Sequence, residues 1–433
     1  MLRKITIAGI AVILGLTATS AIARTGPIPV FGDRGYAVMD LAAKDGHLDG
    51  FRIAGSDSAH DGSITILTTR TDFEQSGIRL IRLRPDGTRD VRFGNGGSVV
   101  RYMAADFNFT PNALTIDSRG RAVVALTLKL CDAKCPVHAA AMRFRKDGEL
   151  DGSFGRKGMF RSPQAGTGQV IRSLPGGKTL ISGVHGHRFL AWRVDRDGRL
   201  DHAFGRRGTG SIPEGPIPLN LRPGRATEMT VDGRGRIVVM GIQRGLGDSL
   251  FFVRFGPDGR QDTNFGDRGV RRARHAGANG GPVGLVEVGG RIITSDWRDG
   301  CSPLWALRSG TGNPDAGFNS PQPGIECDSD GASAPAGIDL DPDGNIVIFN
   351  YVRWPSPESQ EPRFTVARYF SDGTLDPGFG DGGHAPIPVS TGGLTGGFVD
   401  SQGRPVTTGR RNAGRAGFVV RMKPDGSPDH GFG

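Results

Sequence analysis

Three short stretches carry side chains able to hold a metal or react with one another. In Asp339-x-Asp341-x-Asp343-Gly344-Asn345 alternate carboxylates stand as in the first half of a calcium loop, where hard oxygen donors surround a hard cation. The twelfth position is Asn350 instead of a bidentate Glu, and Ile346 to Phe349 reads as strand. A hairpin is therefore expected there, with calcium the alternative. His185-Gly186-His187 puts two imidazoles on one side of an extended segment, a pair that could ligate a metal. No carboxylate lies near it, and an exposed hairpin tip is the expectation. Cys131 and Cys135 lack the two-residue spacing of a redox or zinc motif, so they are expected to form a disulfide across a turn.

Catalytic signatures of other kinds are missing from the sequence. There is no Gly-x-Ser-x-Gly elbow, His-Glu-x-x-His or phosphate-binding glycine loop. Glu228, Glu287 and Asp339 fall on apolar segments that read as inner strands. They are the acids that could meet around a central axis.

The start of the chain reads as an export signal. Met1-Leu2-Arg3-Lys4 is basic, Ile5 to Leu16 is apolar, and Ala21-Ile22-Ala23 fits a cleavage site. Residues 1–23 are thus expected to be a signal peptide, and 24–433 the mature, periplasmic or secreted chain. Cleavage removes Arg3 and Lys4, so the formal charge of +10 falls to +8. That surplus favours anionic partners. Without a dense Lys/Arg run, nucleic acid is not an expected partner, and no second apolar run suggests a membrane span. In an oxidising compartment the four cysteines are expected to pair as Cys131–Cys135 and Cys301–Cys327.

Composition and periodicity define what must position these residues. With 70 Gly and 28 Pro among 433 residues, yet 23 Phe, the chain suits many turns around an apolar core. Phe-Gly recurs at Phe31, Phe93, Phe154, Phe204, Phe265 and Phe379, ends the chain at Phe432, and decays to Phe318-Asn319. The intervals are 62, 61, 50, 61, 53, 61 and 53 residues. Three residues before each Phe after the first stands an Asp, from Asp90 to Asp429. Six before stands a Gly, usually after Asp. Eleven before stands an Arg, except in the fifth unit, where Arg308 is displaced by one. Upstream, segments such as Met229 to Gly241 place apolar runs either side of polar turn residues, which signals a hairpin. Each unit therefore offers four antiparallel strands. Seven units arranged radially make an all-β, seven-bladed propeller.

The run Arg368-Tyr-Phe-Ser-Asp-Gly-Thr-Leu-Asp-Pro-Gly-Phe-Gly-Asp-Gly-Gly383 resembles the signature of the delta-60 repeat family of exported bacterial proteins. The resemblance extends over all seven units and implies propeller-like repeats; it implies no catalytic residues. The incomplete motifs at the two ends of the chain are complementary. Gly35 to Asp40 is accordingly expected to pair with Phe418 to Met422 and close the last blade.

Repeated residues serve what every blade needs, so ligand recognition is expected where blades differ. Candidate binding segments contain Phe107, Asn108 and Phe109, then His275, then Trp354. The expected function is a monomeric binding or scaffold propeller without a cofactor, recognising a protein or glycan of the cell envelope. An exported hydrolase, lactonase or lyase with a metal at the central channel is the alternative.

Overall fold

A computed structural model describes residues 35–40, 52–71, 76–102, 108–130, 135–186, 188–213, 222–244, 249–274, 283–295, 304–318, 334–352, 363–389, 392–411 and 416–433. Strand β1 (Tyr36–Asp40) stands apart at the start. Blade 1 follows as β2 (Arg52–Ser58), β3 (Ile64–Thr71), β4 (Ser76–Leu83) and β5 (Ser98–Tyr102). Blade 2 is β6 (Asn108–Ile116), β7 (Ala122–Lys129), β8 (Val137–Phe144) and β9 (Met159–Ala165); blade 3 is β10 (Val170–Ser173), β11 (Thr179–His185), β12 (Arg188–Val194) and β13 (Thr209–Pro213). Blade 4 contains β14 (Arg222–Val231), β15 (Ile237–Arg244), β16 (Ser249–Phe255) and β17 (Val270–Arg274), and blade 5 contains β18 (Val283–Val288), β19 (Arg291–Ser295) and β20 (Leu304–Arg308). Blade 6 is β21 (Ala334–Leu340), β22 (Ile346–Val352), β23 (Arg363–Tyr369) and β24 (His384–Ile387). Blade 7 is β25 (Gly393–Val399), β26 (Pro405–Arg411) and β27 (Ala416–Arg421).

Every blade is an antiparallel meander, and β1 supplies the fourth strand of blade 7. The register runs from Tyr36 opposite Val420 to Asp40 opposite Ala416. The chain is thus a seven-bladed propeller clasped by its first strand. Blade 5 has three strands among the described residues; 319–333 lie outside them.

Hydrophobic burial explains why the blades stack. The apolar side chains form seven clusters, one at each junction of neighbouring blades. One of them joins Ala37, Met39, Val406, Val419 and Phe432 of the last blade to Ile53, Ile64, Ile66, Ile81 and Leu83 of the first. The repeated Phe is a wedge in these junctions: Phe93, Phe154, Phe204, Phe265, Phe379 and Phe432 are at most 1% exposed. Burying each contributes about 1.5–3 kcal/mol.

Around each wedge the other repeated residues build one latch. In blade 2, Arg143 Nε donates to Asp151 Oδ2 at 2.8 Å, its guanidinium lies 4.4 Å from the Phe154 ring centre, and Nη1 donates to the Arg196 carbonyl of blade 3. Arg193, Arg368 and Arg421 repeat this set. The corner Asp accepts the backbone N–H two residues on, as Asp201 does from Ala203 and Asp376 from Gly378, an Asx turn. After the Phe, the Gly N–H donates to the next blade's turn: Gly155 to the Asp197 carbonyl at 2.7 Å, Gly380 to that of Asp425 at 2.8 Å. Glycine is required in the receiving turn. A Cβ on Gly198, which has φ +74°, would lie 2.5 Å from Gly155 N and 2.6 Å from Phe154 Cδ2.

Blade 5 shows why the Arg had slipped there. In blade 2 the Asp151 N–H donates to the Arg143 carbonyl, and in blade 5 the Asp315 N–H donates to that of Ala306, so an alanine holds the place of the latch arginine. Arg308 stands two residues further along β20, directly opposite Arg291, and its side chain is 64% exposed with Nε 3.5 Å from Asp315 Oδ1. Arg291 takes over: Nε is 2.7 Å from Asp315 Oδ2, the guanidinium lies 6.0 Å from the Phe318 ring centre, and Nη1 reaches the Ser371 carbonyl of blade 6 at 3.5 Å.

Phe109 corrects an expectation. It is 1% exposed on β6, inside the cluster between blades 1 and 2, and so is a core residue with no role as a binding-loop contact. An apolar side chain on an inner strand alternates towards the neighbouring blade.

Candidate functional site

Seven inner strands converge on a central channel of about 380 Å³. Six of them carry a β-bulge, and the extra residues include Ala54, Asn112, Thr227, Ala336 and Thr395, all lining the channel. A bulge re-aims a side chain at such positions. Three residues beyond these bulges stand Asp57, Thr115, Thr230, Asp339 and Phe398. Gln169 precedes Arg172 by the same distance in blade 3.

The polar members of this ring bind the neighbouring strand's backbone. Asp57 Oδ2 accepts the N–H of Ile116 at 2.7 Å, and Oδ1 that of Ser58 at 2.8 Å. Ser173 N–H donates to Thr115 Oγ1 at 3.3 Å, and Arg172 Nε donates to the Met229 carbonyl at 3.1 Å. Asp339 Oδ2 accepts the N–H of Val399 at 2.9 Å and Oδ1 that of Leu340 at 2.9 Å. Three residues earlier in the repeat, Asn112 Nδ2 donates to the Gly168 carbonyl at 2.8 Å, and Gln169 Oε1 accepts from Ala226 N–H at 2.9 Å. These side chains staple blade 1 to 2, 2 to 3, 3 to 4, and 6 to 7.

Enclosure by seven blades shapes the electrostatics. Burial pushes Asp57 up to about 6, against the N–H bonds from Ile116 and Ser58 and the charge of Arg172, while Asp339 adds to the rise. Burial raises Asp339 too, against its own N–H donors and Arg172. A carboxylate near neutrality suits general acid–base work. Both oxygens of each carboxylate, however, already accept backbone hydrogen bonds.

The anticipated sites fare unequally. Asp339 and Glu228 line the channel. Glu287 is raised by burial and bonds to Ser309 on the turn side of blade 5. Asp341 does not join Asp339: its Oδ1 accepts the N–H groups of Asp343 and Asn345, and its Oδ2 that of the Asn345 amide, closing the hairpin. Asp117, Asp232 and Asp400 hold the equivalent hairpins. Among the described residues no three His, Cys, Asp or Glu lie together as a metal would need. His185 ends β11 opposite Arg188. His187, Phe107, His275, Trp354, Cys131, Cys301 and Cys327 lie outside the described residues, as do residues 1–34. Asn108 begins β6, and Cys135, which is described, carries no free thiol.

Sequence reading passed over Asp57 and Arg172. The signal existed: Ala54-Gly-Ser-Asp57 and Ala336-Gly-Ile-Asp339 occupy the same place in their blades.

Comparison with known proteins agrees on the class. Residues 60–93 and 341–379 match the family model described as a domain of unknown function (DUF5122) beta-propeller. No curated protein matches the chain in sequence. Among solved structures, the chain is similar to the β-propeller domain of the Trilobed protease from Pyrococcus furiosus, at 12% identity over 88% of this chain and 97% of that one, TM-score 0.45. Sqt1 of Chaetomium thermophilum, solved bound to the N-terminus of ribosomal protein L10, shows 12% identity over 88% and 99%, TM-score 0.46. Regucalcin of Agrobacterium tumefaciens, a calcium-binding protein, shows 16% identity over 74% and 92%, TM-score 0.37. Likenesses this distant concern fold and carry nothing about activity. Among the described residues no helix is long and apolar enough to cross a membrane.

Proposed function

We propose that this chain is an exported binding or scaffold propeller that holds a protein or glycan partner of the cell envelope on the outside of the ring. One observation carries the reading: three of the four titratable side chains lining the channel among the described residues, Asp57, Arg172 and Asp339, are committed to the backbone of neighbouring strands. The channel then acts as a structural hub, and recognition belongs to loops and rims. Export through residues 1–23, the disulfides Cys131–Cys135 and Cys301–Cys327, the delta-60 repeat affiliation and a monomeric state are parts of the same proposal.

The raised Asp57 supports one second reading, an exported hydrolase, lactonase or lyase acting at the channel with a metal. Purified mature protein, assayed on lactone, ester and glycan substrates with added divalent metals, separates the two. The binding reading expects no turnover above that of Asp57→Asn and Glu228→Gln variants. Turnover that either substitution abolishes would overturn it.

A further inference from the structure

Around the outer edge of blade 3 runs a groove of about 820 Å³. Its walls carry Arg188, Arg206, Arg260 and His185, together with Gln164 and Ser211, and among the described residues no carboxylate lines it. Arg188, Arg206 and Ser211 are exposed. Arg188 Nη1 donates to Ser211 Oγ at 3.2 Å. The nearest acid to Arg260 is Asp258 at 3.6 Å, with side chains 82% and 55% exposed, a pair too well solvated to neutralise the arginine firmly.

Thr209 and Ser211 of β13 line the same groove. That strand pairs with β12 on one side and ends the sheet; on its other edge Thr209 is bonded through N–H and carbonyl to Arg206, and from Ser211 onward the edge has no partner strand among the described residues. An open edge offers main-chain donors and acceptors to an extended chain. Side chains on one face of such a chain recur every 6–7 Å or so, so alternate residues of a bound strand would face the arginine-bearing wall. Among the described lining residues there is no aromatic side chain of Phe, Tyr or Trp on which a sugar would stack.

We propose that this groove docks an acidic peptide segment in extended form, which adds a fifth strand to blade 3 along β13 and sets its carboxylates against Arg188, Arg206 and Arg260. The inference rests on the reading that a partner binds outside the ring, and it narrows that partner to a protein.

The test is fluorescence anisotropy with the full mature protein and a labelled hexapeptide alternating glutamate and threonine. Three comparisons accompany it: the same peptide N-methylated at alternate amides, a sulfated oligosaccharide, and the variant R188E/R206E, whose denaturation midpoint reports that it folds. Binding of the parent peptide, weakened at least tenfold by R188E/R206E and by N-methylation, is the expected result. Equal binding of the N-methylated peptide, or tighter binding of the oligosaccharide, would overturn strand addition. An unchanged affinity in R188E/R206E, or no binding of the parent peptide, would overturn the groove assignment. Neither touches the broader reading, which channel-dependent turnover or contact confined to the channel would overturn.

Discussion

Arg421, in the last blade, donates from Nη1 to the carbonyl of Pro85 in the first, a residue 336 positions away in sequence. Beside it Gly433 N–H donates to the Asp86 carbonyl at 2.6 Å. The same latch that joins every consecutive pair of blades therefore also joins the seventh to the first. Ring closure uses no special device beyond β1 and the repeat itself.

Breaking that latch should cost more than a surface ion pair. The Arg421 side chain is 4% exposed, and it serves Asp429, Phe432 and Pro85 together. Removing one partner of a buried pair costs about 3–5 kcal/mol. Arg421→Gln should therefore lower stability by about 3 kcal/mol in urea denaturation, and Arg421→Gln/Asp429→Asn should recover part of it. A loss below about 1 kcal/mol, the value of an exposed pair, would show that the latch is decorative.

Two glycines with the same φ separate conformation from packing. Gly176 and Gly198 both have φ +74°, but a Cβ on Gly176 meets nothing within 4 Å, whereas on Gly198 it meets the wedge of the previous blade. Gly198→Ala should cost about 1–3 kcal/mol more than Gly176→Ala. Equal losses in thermal denaturation would mean the blade junction relaxes freely.

The clasp makes a prediction about cooperativity. Ala37 is fully buried on β1 against the first blade's core. Ala37→Asp leaves an unpaired charge there. Hydrogen exchange should then quicken in β27 and also in β2 to β4, as a ring-wide opening. Faster exchange confined to 36–40 would reduce β1 to an appendage.

Titration of Asp57 sets a pH dependence of known sign. Its folded value is raised to about 6, so the native state holds a proton that the unfolded chain releases nearer 3.8. Its contribution to stability is complete below about pH 4 and fades as pH rises through about 6. At roughly 1.4 kcal/mol per pH unit the swing is at most about 3 kcal/mol. Subtracting the Asp57→Asn stability profile from that of the wild type should isolate this decline between pH 4 and 7. A flat difference would place the ionisation elsewhere.

How far the sequence could be read follows from what repeats. Residues shared by seven blades, such as the Phe wedge, its Asp and its Arg, announce the blade count, and the truncated ends announce the clasp. The exchange of Arg308 for Arg291 was hidden, because spacing along the chain does not show that Ala306 takes the paired position of the latch arginine. The staple Asp57 left a trace only in the match of Ala54-Gly-Ser-Asp57 to Ala336-Gly-Ile-Asp339. What it and Arg172 bind was hidden, because their partners are backbone groups of the next blade, which residue identity does not mark. Phe109 looked like a loop aromatic because the strand start is set by pairing with Leu128, a contact made in space.

Where a partner touches the molecule tests the central claim most directly. A photoreactive benzoylphenylalanine placed in turn at His60, on an exposed turn, at Ser211, on the blade 3 rim, and at Thr395, in the channel, can be irradiated in the native host. Binding outside the ring predicts macromolecular adducts from an outer position and none from Thr395. Adducts from Thr395 alone would contradict it.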